Sequence, residues 1–224
     1  MIIRIVSIDI GTLNFALSVE EIDLDKLKNL SCAPKGNFPA SKRYNIDGTP
    51  TPEFDKILEE VYKNGKIILT HLSSLKSDTE QGVFQNMIDC LNKYKTEFFD
   101  DADYIVIEKQ MKVNQKACRL SVCCISYFVM NYGLSKKIIE FDAYYKTTIL
   151  GAVKNKKVLK NGNVKYTSVD KPTRKKWAID QAFSILACKE DYETMSEISG
   201  LKKFDDVCDT ICMLQAFKCK EFFK

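Results

Sequence analysis

The stretch IIRIVSIDIGTLNFALSVEE, residues 2–21, decides the fold. Its first nine residues, IIRIVSIDI, form a β-branched run typical of a buried central strand. LNFALSVEE, 13–21, then alternates as a second strand does, and the Gly11-Thr12 pair between them reads as the turn of a hairpin. One carboxylate, Asp9, falls at the end of the first strand. A buried charge there is unfavourable unless it is paired, hydrogen-bonded or coordinated, so the hairpin poses a chemical question as well as a structural one.

Working outward, KIILTHLS (66–73) reads as a third strand, DYIVIEK (103–109) as a fourth ending in Glu108, and KKIIEFDA (136–143) as a fifth. Helical spacing runs through Val83, Phe84, Met87, Ile88, Leu91, Tyr94 and Phe98 of segment 81–99. Segment 115–132, QKACRLSVCCISYFVMNY, is a helix apolar almost all round, to be buried in the core or against a partner. Two more helices follow at 173–189 and 202–217. The order implies one α/β domain over 1–224, a five-stranded mixed sheet with helices on both faces. Residues 22–64, with four of the five prolines and the short helical piece EFDKILEEVYKN, read as a surface insertion, and 151–172 as a basic loop.

With 224 residues, 45% of them hydrophobic, the chain can bury a sizeable core. A net charge of +4 says little about partners, but its distribution says more: Lys154 to Lys176 holds nine Lys/Arg and one acid, Asp170. The nine cysteines are odd in number, scattered and mostly inside apolar runs, as reduced buried thiols of a cytosolic-type compartment would be. Without a CxxC pair, and with His71 as the single histidine, the sequence argues against zinc. No secretory signal and no run long enough to span a membrane is expected.

The last helix, KKFDDVCDTICMLQAF (202–217), crowds Asp205, Asp206 and Asp209 into its first turns. Asp206 and Asp209, three apart, share a face. With Asp9 and Glu108 they make four acids at the ends of core elements, the hard oxygen donors that Mg²⁺ prefers for two-metal phosphoryl hydrolysis. Asp205 is as near to Asp209 on the wheel as Asp206 is, and is also a candidate N-cap.

IDIGTLNFA (8–16), YIVIEKQ (104–110), TRKKWAIDQAF (173–183) and KFDDVCDTICML (203–214) together resemble, in order, the Holliday junction resolvases of poxviruses and related large DNA viruses. These are kin to RuvC and to the fungal mitochondrial resolvases, on the RNase H-like fold. The resemblance implies Asp9, Glu108, Asp206 and Asp209 as catalytic, metal-binding carboxylates. It implies a catalytic lysine in the RKK run, best matched to Lys176 with Lys175 as the alternative, that would neutralise charge on the scissile phosphate. It further implies Mg²⁺, with Mn²⁺ able to substitute, two ions per site, no nucleotide cofactor and no membrane. A homodimer would use the helix at 115–132 as its interface and nick two strands of four-way DNA symmetrically. On this reading the basic run contacts DNA phosphates through Lys154, Lys156, Lys157, Lys160, Lys165, Arg174 and Lys175. The expected location is the cytoplasm, including a viral replication site there, rather than the mitochondrion. Other readings are an RNase H or flap nuclease on the same fold, or a non-catalytic DNA-binding protein. IDIGT also resembles the first phosphate loop of actin-type and Hsp70-type ATPases, but the nine glycines, none adjacent to another, lack the further phosphate loops those enzymes need.

Overall fold

A computed structural model of the chain describes residues 1–30, 40–159, 161, 162 and 164–223. Lys160, Cys32, Pro34 and Pro39 lie outside the described residues. Five strands form one mixed sheet: β1 (Ile2–Ile10), β2 (Asn14–Asp23), β3 (Lys66–Ser74), β4 (Tyr104–Lys109) and β5 (Lys137–Asp142), in the order β3-β2-β1-β4-β5. β1 and β2 pair antiparallel, as do β2 and β3, whereas β4 lies parallel to β1 and β5 parallel to β4. This is the five-stranded mixed sheet expected of 2–143.

Nine helices lie among the described residues: α1 (Leu24–Lys28), α2 (Ala40–Arg43), α3 (Pro52–Lys63), α4 (Glu80–Tyr94), α5 (Gln115–Tyr132), α6 (Ala143–Ile149), α7 (Lys171–Cys188), α8 (Tyr192–Ser199) and α9 (Asp205–Phe222). The two faces of the sheet carry separate cores. On one side Ile3, Ile5, Tyr104 and Val106 pack with α3, α7 and α9; on the other Val6, Ile8, Ile10, Ile105 and Ile107 pack with α4 and α5. The period of two along a strand does the sorting. Odd positions of β1 and even positions of β4 face α9, so Asp9 and Glu108 belong to that side.

Three parts of the chain depart from expectation. The basic segment 151–172 is not a loop throughout: β6 (Lys154–Val158) and β7 (Val164–Ser168) pair antiparallel as a separate hairpin. Their alternation is polar on both faces, so no apolar period announced them. Segment 22–64 is not confined to the surface, because α3 buries Phe54, Leu58, Val61 and Tyr62 in the α9-side core. The helix expected over 81–99 ends at Tyr94 and continues as one π-helical turn, Lys95–Phe99, that seats Phe98 and Phe99 in the opposite core.

Candidate active site

Asp9 and Glu108 sit on adjacent parallel strands, where Ile8 pairs with Ile107, so both carboxylates reach the same end of the sheet. Ser7, two residues before Asp9, donates from Oγ to the Thr210 carbonyl (2.9 Å), and Thr210 Oγ1 lies 2.6 Å from Ser18 Oγ. These buried bonds lock α9 across β1 and β2 and set its first turns over the strand ends. The turn between β1 and β2 is tight: Gly11 N donates to Asn14 O (2.9 Å), and a Cβ on Gly11 would come within 3.0 Å of that oxygen. Asn14 is thereby placed to donate from Nδ2 to Asp206 Oδ2 (2.9 Å).

The centre of the site is a residue that the sequence did not single out. Lys146, on α6 directly after β5, is buried, with a side chain 7% exposed. Its Nζ lies 2.7 Å from Glu108 Oε1 and donates to Asp209 Oδ1 at 2.8 Å. Burial alone would lower its pKa, but Asp209, Glu108 and Asp9 together raise it, so it stays an ammonium. Burial and the neighbouring Glu108 carboxylate push Asp9 well above the usual carboxylate range. Burial acts on Glu108 in the same sense, but Lys146 and the hydrogen bond from Asp9 outweigh it and hold Glu108 below its ordinary value. The two neighbouring carboxyls are thus pushed in opposite directions, Asp9 up by burial and by Glu108, Glu108 down chiefly by Lys146. Asp206 is raised chiefly by partial burial, against the Asn14 hydrogen bond.

Of the residues expected at one site, Asp9, Glu108 and Asp209 meet around Lys146, and Asp206 joins them through Asp209 and Asn14. Asp205 is not the N-cap. The helix begins after Phe204, which makes no side-chain cap bond, and Asp205 occupies the first turn with its carboxylate 2.5 Å from Lys175 Nζ. Lys175 rather than Lys176 thus stands beside the acids, and Asp205, Asp206 and Asp209 all raise its pKa. Lys176 is exposed, and one residue further along α7 a side chain leaves about 100° around the axis. Lys156, Lys157, Lys165 and Arg174 are exposed beyond the site, whereas Lys154 is half-buried with its Nζ 4.5 Å from the Tyr44 ring centroid.

The donor set fits a hard divalent cation. Asp9 and Glu108 raise and lower each other's affinity for protons at one sheet end, and four carboxylates are the oxygen donors such an ion takes. Among the described residues no three acids, thiols or imidazoles are spaced to hold an ion as they stand, with Lys146 bridging Glu108 and Asp209 instead.

No family model matches the sequence. The uncharacterized protein 170L of Invertebrate iridescent virus 6 is 30% identical over 230 residues, covering 99% of this chain and 91% of that protein. The uncharacterized protein 97L of Invertebrate iridescent virus 3 is 25% identical over 225 residues, covering 96% and 98%. Among solved structures, that of the fowlpox virus resolvase with its substrate Holliday junction DNA superposes with a TM-score of 0.55, covering 99% of this chain and 100% of that one at 16% identity. The chain belongs to the family of protein 170L of Invertebrate iridescent virus 6, and its fold is the RNase H-like fold that it shares with the fowlpox virus resolvase.

Proposed function

We propose that this chain is a Holliday junction resolvase, a divalent-metal-dependent endonuclease that nicks four-way DNA symmetrically. The observation that carries the reading is the meeting of Asp9, Glu108 and Asp209 around the buried Lys146, at the sheet end where β1 and β4 finish. A fold shared with a resolvase seen on its junction substrate supports the same class of reaction.

In the proposed mechanism Asp9, Glu108, Asp206 and Asp209 would hold the divalent ions. When bound, Mg²⁺ supplies a water of lowered pKa and positive charge for the leaving oxygen. The chain supplies the rest. Asp9 and Glu108, on adjacent strand ends, would present their carboxylates to the ions from the sheet side. Lys146 keeps the Glu108 and Asp209 carboxylates in place while the site is anionic. Lys175, at the rim against Asp205, offers an ammonium to the scissile phosphate. The Ser7, Ser18 and Thr210 bonds hold α9 rigid against the strands, so the acids do not drift apart.

The test is to incubate the purified protein and Mg²⁺ with labelled four-way, flap, duplex and RNA/DNA-hybrid substrates. Paired nicks at symmetric positions of the four-way junction are expected. Preferential cutting of the hybrid's RNA strand would make the chain an RNase H instead, and no cutting of any substrate would defeat the reading.

Symmetric nicking needs two sites, and α5 supplies a surface for pairing. Its inner face buries Leu120, Cys124 and Phe128, yet Val122 (63% exposed), Val129 (49%) and Met130 (85%) form an apolar outer face. Exposed apolar residues grouped on one helix mark an interaction surface, and a second copy is the occupant that the symmetric reaction requires. The double substitution Val122→Asp, Met130→Asp is expected to weaken dimerisation at least about 100-fold, given the burial worth of two large apolar side chains. Its melting temperature at low protein concentration should be unchanged. Sedimentation checks this; a wild type that stays monomeric at high concentration would rule the dimer out.

A further inference from the structure

The β6–β7 hairpin is braced by a distant turn. Residues 44–50 close on themselves through the Tyr44–Pro50 bridge and the Asn45 N to Thr49 O bond (2.8 Å). That turn meets β6 where Lys154 N donates to Gly48 O (3.1 Å). Gly48 has φ +91°, and a Cβ there would lie 2.2 Å from Lys154 O, so glycine alone permits the approach. Tyr166 of β7 donates from its hydroxyl to Ile46 O (3.0 Å). One face of the hairpin, carrying Lys154 and Tyr166, is thus docked.

The other face is open. In the register of the hairpin Asn155 pairs with Thr167 and Lys157 with Lys165; Thr167 is half-buried, and Asn155, Lys157 and Lys165 are exposed. Like charges directly opposite each other on one face of a strand pair destabilise it, and neither Lys157 nor Lys165 has an acidic partner among the described residues. A two-stranded ribbon is marginal by itself, so the brace holds in place a pair of charges that repel. The hairpin also springs from the site: Lys146 lies on the helix that enters it, and Lys175 on the helix that follows. At its root a cleft of about 80 Å³ is lined by Thr147, Thr148, Lys154, Ser168 and Arg174, with no carboxylate in its walls.

We propose that the β6–β7 hairpin, braced by the 44–50 turn, is a rigid prong whose Lys157/Lys165 face lies along the phosphate backbone of a duplex DNA arm leaving the site. This rests on the nuclease reading above and adds to it a second contact, away from the reacting phosphate. A polyanion is the ligand that turns a repelling lysine pair into a favourable one, and a ribbon of fixed pitch presents the two ammoniums to neighbouring phosphates.

The experiment compares the full-length wild type with the Lys157→Gln, Lys165→Gln variant, both lysines being exposed so that folding is not at stake. Binding to a four-way junction and to plain duplex is titrated across a range of salt in the presence of Ca²⁺. Each lost phosphate contact removes about 0.9 from the slope of log K against log salt, so a fall of about 2 and an affinity loss of roughly 30-fold near 0.1 M salt are expected. A second variant, Gly48→Ala, keeps every charge but breaks the brace, and should lose affinity for the same substrates. Unchanged slope and affinity in the lysine variant would overturn the prong while leaving a cutting wild type in place. A wild type that binds DNA with the predicted slope change but cuts no junction would overturn the resolvase and leave the prong.

Discussion

Lys146→Met and Asp9→Asn are each expected to lower the rate of junction cleavage by at least about 100-fold, while moving the stability of the metal-free protein in opposite directions. Lys146 is the cation around which the acids are arranged, bonded to Asp209 and paired with Glu108. Without it, Glu108 and Asp209 lose the cation that lies between them. Stripping one partner from a buried pair costs about 3–5 kcal/mol. The low end, about 3 kcal/mol, applies here, since the Glu108 and Asp209 side chains are 15% and 28% exposed and water can reach them. Asp9 is the converse case. Burial and Glu108 both work against its charge, so asparagine, which is neutral and close to it in shape, removes a disfavoured negative charge beside Glu108. Asp9→Asn should melt at the wild-type temperature or a few degrees above it, by up to about 1 kcal/mol. Single-turnover cleavage and thermal unfolding in chelator read the two effects. A Lys146→Met protein that cuts at the wild-type rate would remove this lysine from the chemistry. An Asp9→Asn protein that melts far lower would show that the Asp9 charge stabilises the metal-free site rather than burdening it.

The contrast between these two residues shows what the sequence could express. Asp9 and Glu108 are legible because each interrupts the end of an apolar strand, where a local rule is broken visibly. Asp206 and Asp209 are legible because their spacing puts them on one helix face. Lys146 breaks no local rule: in DAYYKTTIL a lysine among tyrosines and threonines is an ordinary surface pattern. Its burial exists only because α6 turns back after β5 and meets acids that are 38, 63 and 137 residues away in the chain. The RKK run was legible only to within a residue, since composition cannot tell which of three exposed neighbours on a helix stands beside the acids; α7 turns Lys175 toward Asp205.

The fold followed the same division. β1 and β4 are specified by β-branched runs and β2 by its alternation, so their boundaries were readable to within a residue or two. β6 and β7 contain KNKKV and VKYTS, which have no buried face of their own. Their pairing depends on contacts with Ile46 and Gly48, more than a hundred residues upstream, and no window of sequence contains that information. α6 and α8 are one or two turns long, below the length at which periodicity can be counted.

Glu20→Gln is expected to destabilise the protein by about 3–5 kcal/mol, lowering its melting temperature by about 10 °C, with no acid of the active site touched. Glu20 lies at the bulge between β2 and β3, fully buried, and accepts from Lys189 Nζ (2.6 Å), Lys218 Nζ (2.9 Å) and Gln215 Nε2 (2.9 Å). One carboxylate thus serves two ammoniums from α9 and the end of α7. Their other donors go to the carbonyls of Tyr62, Asn64 and Gly65, which ties α3 and the start of β3 into the same knot. Burial, though opposed by Glu20, leaves Lys218 with a pKa lowered to about 8, the mark of a surplus cation. Lys218→Met should accordingly cost much less than Glu20→Gln, under about 1.5 kcal/mol, because Glu20 keeps Lys189. The pH dependence follows in sign. Between about 8 and the ordinary lysine value of 10.5 the unfolded chain binds more protons at Lys218 than the folded one, so stability through this residue rises with pH across that window. Below about 8 the penalty of its charge is present in full. Denaturant melts of wild type, Glu20→Gln and Lys218→Met at pH 7 and pH 9.5 test all three statements. If Lys218→Met is as damaging as Glu20→Gln, or if it leaves the wild-type rise between those pH values intact, then Lys218 is not the surplus charge and the knot is held by a balanced pair.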